Sequence, residues 1–235
     1  MPAGLPQLPL HIQPWALMDD VVEADRLRIE SELDRMRLLF GRAGIQVVAR
    51  PIKRAWDDSW EKLDRRALTQ ISASLFTSTQ AAVNCVWVSM IHEYESDANY
   101  STHGFAVLAD STNGGSWAAF AALGNAGGPN TMAHELGHVL GLPHIEEGAS
   151  TTSAAFAPFP DDVSSWDEAV DGKNLMSGTY SRYKSDVVLS PSQVRRLRLS
   201  VVSGVVPYAA YSSSSSEWRP LVRVGGAAVA GAVLA

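Results

Sequence analysis

One stretch constrains the fold of this chain more than any other feature. Residues 131–144 read T-M-A-H-E-L-G-H-V-L-G-L-P-H, which matches the pattern H-E-x-x-H-x-x-G-x-x-H. Side chains four residues apart lie on one face of a helix, so His134 and His138 can present two imidazoles to one metal ion. Zinc takes nitrogen ligands in a tetrahedral shell, and a catalytic zinc keeps one position open for water. The spacing therefore predicts a helix that carries two zinc ligands and needs a third from elsewhere.

The end of the same stretch supplies the third ligand. Glycine accepts the left-handed conformation that ends helices, so Gly141 predicts a sharp turn. Pro143 prevents the helix from resuming, and we expect His144 to swing back towards the metal. Glu135 follows the first ligand directly, where its carboxylate can take a proton from a metal-activated water.

The full pattern is more specific than its first five residues. A bare H-E-x-x-H arises by chance in roughly a few per cent of chains of this length, and the added glycine and histidine lower that frequency by roughly several hundred-fold. The competing interpretation is a core helix whose histidines only satisfy hydrogen bonds. It is disfavoured because burying two histidines beside a glutamate is costly without a metal. One catalytic Zn²⁺ is therefore the predicted cofactor.

These residues resemble the elongated zinc-binding motif of the metzincin clan of metalloendopeptidases. The resemblance implies a Met-turn further along the chain, and residues 174–178, N-L-M-S-G, are similar to one. It also implies that Met176 forms an apolar floor beneath the three histidines. Ile145 follows the third histidine and is not the mark of a matrixin, astacin, adamalysin or serralysin, so the family within the clan is unassigned.

The resemblance implies an α+β fold with two lobes. A twisted mixed sheet with helices is expected to form an upper lobe over about residues 8–144. A smaller, mostly irregular and helical lower lobe is expected over about 145–205, with the active-site cleft between the lobes. The remaining residues, 206–235, are rich first in serine and then in small apolar residues, which is typical of a tail.

Hydrophobic periodicity predicts the first elements of the upper lobe. Residues 8–15 alternate apolar and polar side chains as a strand does, and their prolines favour an edge position or the strand ends. Residues 19–40 show helical spacing, with Gly41 at the predicted C-terminal end. Residues 45–50 form the next predicted strand. Strand, helix and strand at this spacing indicate a parallel crossover unit.

The remaining elements follow from the same patterns. A second helix is predicted over about residues 57–77. Strands are predicted over 85–91, 104–109 and 117–123, ahead of the metal-binding helix. In the lower lobe, residues 190–193 read S-P-S-Q, which predicts the start of a helix with a capping box.

Substrate contacts are expected from the metzincin resemblance. It implies that an extended peptide pairs with an edge strand near Gly104, Phe105 and Ala106. In astacins and serralysins a tyrosine two residues after the methionine reaches the zinc. That position is Gly178 here, so Tyr180 is expected to line the substrate pocket instead.

Composition narrows the class of partner. The chain has 235 residues and a formal net charge of -6, so it lacks the basic footprint of a nucleic-acid-binding protein. Cys85 is its only cysteine, which excludes a disulfide within the chain. Its start has no recognisable secretory signal, and its apolar end is shorter than the roughly 18–20 residues that span a bilayer. We expect a monomer that binds a protein or peptide substrate, without a transmembrane span and in a compartment that the sequence leaves open.

The predicted function is zinc-dependent hydrolysis of peptide bonds with Glu135 as general base. Two alternatives stay open: a zinc-stabilised binding protein without turnover, and a metal hydrolase that acts on small amides or peptide termini. The intact Glu135 weighs against the first. Carboxylates between residues 146 and 171 leave a Ca²⁺ site as an alternative, although an acidic solvated surface is favoured by roughly four to one.

Overall fold

The computed structural model describes residues 7–18, 23–57, 63–64, 82–89, 91–92, 101–102, 104–107, 120–123, 128–142, 173–177, 185–202, 223–224 and 227–228. Its elements in chain order are β1 (Leu8–Leu17), α1 (Glu23–Arg42), β2 (Ile45–Ala49), β3 (Lys53–Arg54), β4 (Leu63–Asp64), β5 (Val83–Val88), β6 (Ile91–His92), β7 (Ser101–Thr102), β8 (Gly104–Val107), β9 (Phe120–Leu123), α2 (Thr131–Val139), α3 (Pro191–Val202), β10 (Arg223–Val224) and β11 (Ala227–Ala228).

The main sheet is mixed, with the strand order β2-β1-β5-β9-β8 and with β3 paired to β1 beyond the end of β2. Strand β1 runs parallel to β2, β3 and β5, and β5 runs parallel to β9. Strand β8 is antiparallel to β9 at the end of this order. The predicted parallel crossover β1–α1–β2 is confirmed, and so is the α+β fold class.

Strand β1 lies inside the sheet, so the predicted edge position is wrong. Pro9 is the second residue of the strand, as an end position requires, but Pro14 lies within it. Pro14 pairs with Cys85 of β5 on one side. On the other side the neighbouring strand is interrupted between β2 and β3, opposite the residue that has no N–H to donate. There the Gln13 side-chain amide donates to the carbonyls of Pro14 and Pro51 at 3.0 and 2.9 Å. A side-chain amide therefore replaces the missing ladder bonds.

Helix α1 ends later than the sequence predicted. It continues through Gly41 to Arg42, and the residue that takes the left-handed conformation is Gly44, with a φ of 69°. The Gly44 N–H donates to the Gly41 carbonyl at 3.0 Å, which closes the last turn. Two glycines lie close together at this end, and the spacing alone does not distinguish them.

The helix predicted over 57–77 is contradicted where the structure describes that segment. Leu63–Asp64 form β4, which pairs in parallel with Ile91–His92 of a second, three-stranded sheet. The rest of the predicted helix lies outside the described residues. Two residues of strand within a helical pattern show that sheet pairing overrides local periodicity here.

The core lies between the main sheet and its helices. Strand β5 is buried along its whole length, as predicted, and Cys85 within it is a buried apolar residue. Helix α1 packs on β2 and α2, while α2 packs on β8 and β9. The fully buried large side chains are Trp87, Phe40, Ile12, Leu17, Ile29, Met36 and Ile45. This core fixes α2 against the antiparallel end of the sheet.

Only parts of the predicted lower lobe and tail are described. Helix α3 begins at Pro191, as the capping-box pattern predicts. Within the tail, β10 and β11 form a short antiparallel pair. The division into lobes and tail stays a prediction. Among the described helices, none is both long and apolar enough to cross a membrane.

Glu32 is a buried carboxylate between α1 and β5. Its side chain accepts hydrogen bonds from Arg28 Nε at 3.2 Å and from Trp87 Nε1 at 3.3 Å. Burial raises the pKa of Glu32 from 4.5 to about 7, against the opposing effects of Arg28 and Trp87. Between pH 4.5 and about 7 the folded state therefore binds more protons than the unfolded state. The free energy of unfolding falls as pH rises through that window.

Replacing Glu32 with glutamine is expected to remove that loss of stability. The amide keeps the volume and an acceptor oxygen but carries no charge. Between pH 4.5 and 8 the parent should lose on the order of 3 kcal/mol more unfolding free energy than Glu32→Gln. Urea unfolding at both pH values measures the difference. Glu30→Gln, at an exposed position of the same helix, is the control. Equal pH dependence in the parent and Glu32→Gln would contradict the assignment.

Candidate metal centre

Helix α2 carries three of the predicted site residues. His134 and Glu135 are buried, with exposed fractions of 0% and 3%, and His138 is half-buried one turn further on. At the start of the helix, Arg35 of α1 donates from Nε to the Asn130 side-chain oxygen at 2.6 Å. Arg35 also donates to the Ser185 carbonyl at 2.6 Å. One guanidinium thus joins the beginning of α2 to the segment that precedes α3.

The two histidines of α2 converge. Their Nε2 atoms lie 3.1 Å apart, and the rings are nearly perpendicular, with an interplanar angle of 88°. The Nδ1 atom of His134 contacts the Leu175 carbonyl oxygen at 2.7 Å, and that of His138 contacts the Leu142 carbonyl oxygen at 2.6 Å. A carbonyl oxygen only accepts, so each Nδ1 carries the proton and donates it. Each neutral ring then presents a lone pair at Nε2.

This arrangement fits a metal ion. If both rings are neutral with their protons on Nδ1, neither Nε2 has a proton to share with the other, and two Nε2 atoms at 3.1 Å are placed to bind one ion. Two nitrogens bound to one tetrahedral zinc at about 2.0–2.1 Å would lie roughly 3.3 Å apart. Metal-binding histidines commonly donate their other ring N–H to a carbonyl, which fixes tautomer and orientation. The pair therefore has the separation and the tautomer of two zinc ligands.

The end of α2 forms the turn that orients His138. Gly141 has a φ of 89°, the left-handed conformation that the sequence predicted. Its N–H donates to the His138 carbonyl at 2.8 Å, and the Leu142 N–H donates to the Gly137 carbonyl at 2.9 Å. Together these two bonds make a Schellman motif. The reversal carries the Leu142 carbonyl back to His138 Nδ1, so the turn that ends α2 also holds the His138 ring.

The predicted Met-turn lies beneath the same helix. Leu175 supplies the carbonyl that accepts from His134, and Met176 is fully buried. A Cβ at Gly137, between the two histidines, would lie 2.6 Å from Met176 Sδ and 3.3 Å from its Cε. The methionine therefore packs directly against the helix backbone, a contact that is possible only because residue 137 has no side chain.

Gly137→Ala is expected to displace Met176 and destabilise the fold. The contact at 2.6 Å is closer than a Cβ tolerates, so the methionine must shift, and its full burial opposes that shift. Overpacking of this kind costs about 1–3 kcal/mol, against a gain in helix propensity of up to about 1 kcal/mol. Gly41→Ala is the matched control, because a Cβ there meets nothing within 4 Å and should raise stability by up to about 1 kcal/mol. Unfolding free energies of both variants test the contact. Equal stabilisation by both alanine substitutions would contradict the close contact between Met176 and Gly137.

The other predicted site residues divide into two groups. His144, Tyr180 and the Phe105 side chain lie outside the described residues. Within the described part of the chain, no group of three or more His, Cys, Asp or Glu side chains converges on one point. Gly104 and Ala106 lie on β8, which α2 packs against, at the antiparallel end of the sheet. The third ligand, the tyrosine and the substrate contacts thus stay predictions.

Three supports of the histidine pair were not predicted from the sequence. They are the Leu142 carbonyl, the Leu175 carbonyl and the bare backbone at Gly137. Backbone carbonyls leave no residue-specific signal. The glycine was visible inside the motif, but its helical position gave no indication of the partner that packs on it.

The fold is similar to that of a solved metalloproteinase. Metalloproteinase-II from Bacteroides fragilis matches 82% of this chain with a TM-score of 0.53 and 14% sequence identity. The chain spans about half the length of that protein, 53%. Archaemetzincin from Methanopyrus kandleri matches 83% of this chain and 96% of its own, with a TM-score of 0.47 and 14% identity. No family model matches the chain, and no curated protein matches its sequence.

Proposed function

We propose that the protein is a zinc-dependent metalloendopeptidase of metzincin type, with His134, His138 and His144 as zinc ligands and Glu135 as general base. The observation that carries this proposal is the convergence of two Nε2 atoms at 3.1 Å, each ring held by a carbonyl at its Nδ1. The fold shared with a metalloproteinase supports it. When bound, zinc would polarise the scissile carbonyl and lower the pKa of a coordinated water.

The chain's own residues have separate tasks in the reaction. Glu135 lies beside His134 on a buried helix, where its carboxylate takes the proton of the attacking water and passes it to the leaving amine. Met176 is apolar and buried, so it packs beneath the ligands and does not compete for the metal. The Leu175 and Leu142 carbonyls keep both imidazoles in the tautomer that leaves Nε2 available.

The proposed substrate path follows β8. This strand comes last in the order of the main sheet, it is antiparallel to β9, and α2 packs against it. Among the described strands, none pairs with its second edge. An extended peptide paired there by main-chain hydrogen bonds would lie alongside the helix that carries the histidines.

Digestion of an unfolded protein tests the proposed activity. The zinc-reloaded protein is incubated with a reduced, denatured substrate beside a metal-depleted sample, and products are identified by mass spectrometry. Cleavage at internal peptide bonds that appears only with zinc supports an endopeptidase. Release of terminal residues alone would favour an exopeptidase. Full zinc occupancy without any cleavage would favour a zinc-stabilised binding protein.

A further inference from the structure

Two buried carboxamides join the Met-turn to helix α3. Asn174 donates from Nδ2 to Gln193 Oε1 at 2.9 Å, and Gln193 donates from Nε2 to Asn174 Oδ1 at 3.1 Å. Both residues have an exposed fraction of 0%. Each oxygen accepts a second bond, Asn174 Oδ1 from the Met176 N–H at 2.8 Å and Gln193 Oε1 from the Ser190 N–H at 2.9 Å. The reciprocal pair is thus a satisfied polar network inside an apolar region.

The turn around Leu175 links this carboxamide pair to the candidate metal centre. The bond from the Met176 N–H to Asn174 Oδ1 closes a side-chain turn around Leu175, and the Ser177 N–H donates to the Asn174 carbonyl at 3.1 Å. The Leu175 carbonyl inside that turn accepts from His134 Nδ1 at 2.7 Å. The orientation of the Leu175 carbonyl depends on the conformation of the turn, because these hydrogen bonds hold the backbone on both sides of Leu175.

We infer that Asn174 and Gln193 are positioning residues for His134. The carboxamide pair holds the Met-turn on α3, the turn presents the Leu175 carbonyl, and that carbonyl holds the His134 ring with Nε2 directed at the metal. The identity of the metal rests on the proposed function. The positioning itself rests only on the hydrogen bonds from Gln193 through Asn174 and the turn to His134.

The competing explanation is that backbone pairing alone holds the turn. The Leu175 N–H donates to the Val188 carbonyl at 2.9 Å, and the Val188 N–H donates to the Lys173 carbonyl at 2.8 Å. These bonds would survive any change of side chain at Asn174 or Gln193. Removing the carboxamide pair while keeping the volume therefore distinguishes the two explanations.

The main test variant is Asn174→Leu combined with Gln193→Met. Replacing both partners of a buried hydrogen bond by apolar groups of similar shape is milder than removing one, because neither side-chain amide is left without its partner. The Met176 and Ser190 N–H groups lose their side-chain acceptors in this variant, so its unfolding free energy is measured beside the zinc affinity. Asn174→Ala leaves the Gln193 amide without its side-chain partner. It is the second variant, and we expect it to be the more destabilising of the two. Ser190→Ala is the matched control. It removes the hydroxyl that accepts from the Gln193 N–H at 3.3 Å and leaves both carboxamide bonds in place.

The first measurement is zinc affinity, by competition with a chelator. Loss of a group that supports a metal ligand typically lowers affinity by roughly 10–100-fold, so we expect at least about tenfold for the double variant. Ser190→Ala should stay within about twofold of the parent. Parental affinity in a folded double variant would overturn the inference, and so would an equal loss in the control.

The second measurement needs no metal. In the metal-free protein, proton NMR follows exchange with solvent of the imidazole N–H protons of His134 and His138. Exchange at His134 Nδ1 should become roughly tenfold faster or more in the double variant, because its carbonyl acceptor is no longer held. The His138 proton, bonded to Leu142, is the internal reference and should not change. Unchanged His134 exchange would overturn the inference, whether or not the parent binds zinc. Failure of the parent to bind zinc would instead remove the proposed function and leave the exchange test of the inference intact.

Discussion

Glu135→Gln is expected to lower kcat for peptide hydrolysis by at least about 10³-fold while the protein keeps its full zinc content. Glutamine has the size of glutamate but cannot take a proton from water. General-base catalysis typically contributes about 10²–10⁴-fold, and this residue would also return the proton to the leaving amine. The three histidines are untouched, so metal binding and thermal stability should stay near those of the parent.

Metal content and turnover of Glu135→Gln must be measured on the same preparation. Glu30→Gln, the exposed replacement on α1, is the matched control and should turn over at the parental rate. Full zinc with turnover within about tenfold of the parent would falsify the role of Glu135 as base.

His144→Ala is expected to weaken zinc binding more than any change outside the ligand set. A site with two of its three protein ligands should lose more than the roughly 100-fold that marks the upper range for supporting residues. In the proposed ligand set the ion would also link α2 to His144, so the variant should lose the stabilisation that zinc gives to the parent.

His11→Ala is the control for that experiment, because His11 is exposed on β1 and has no part in the proposed site. Chelator competition gives the zinc affinity of both variants, and thermal unfolding with and without zinc gives the stabilisation. A parental zinc affinity in His144→Ala would remove this residue from the ligand set and leave the third ligand to be found elsewhere.

Local sequence patterns predicted those parts of the structure that local geometry determines. Helical spacing alone brings His134 and His138 to one face, and their Nε2 atoms converge as expected. Gly141 takes the left-handed conformation because a helix stop requires it. Ser190 and Gln193 form the predicted capping box, with the Gln193 side chain bonded to the Ser190 N–H.

Long-range packing accounts for what local patterns missed. Pro14 suggested an edge strand, but the interruption between β2 and β3 and the Gln13 amide allow it inside the sheet. Gly137 occupies a variable position between the two histidines of the motif, and its contact with Met176 depends on the packing of a distant segment. Asn174 and Gln193 meet only because the Met-turn folds onto α3. The sequence around either residue does not predict its contact with the other.

The most direct test of the account is a zinc-edge anomalous difference map from crystals of the zinc-loaded protein. We expect one peak on α2, about 2.0–2.1 Å from the Nε2 atoms of His134, His138 and His144, with both Nδ1–carbonyl bonds to Leu175 and Leu142 retained. A zinc peak elsewhere, or none between the two α2 histidines, would contradict it.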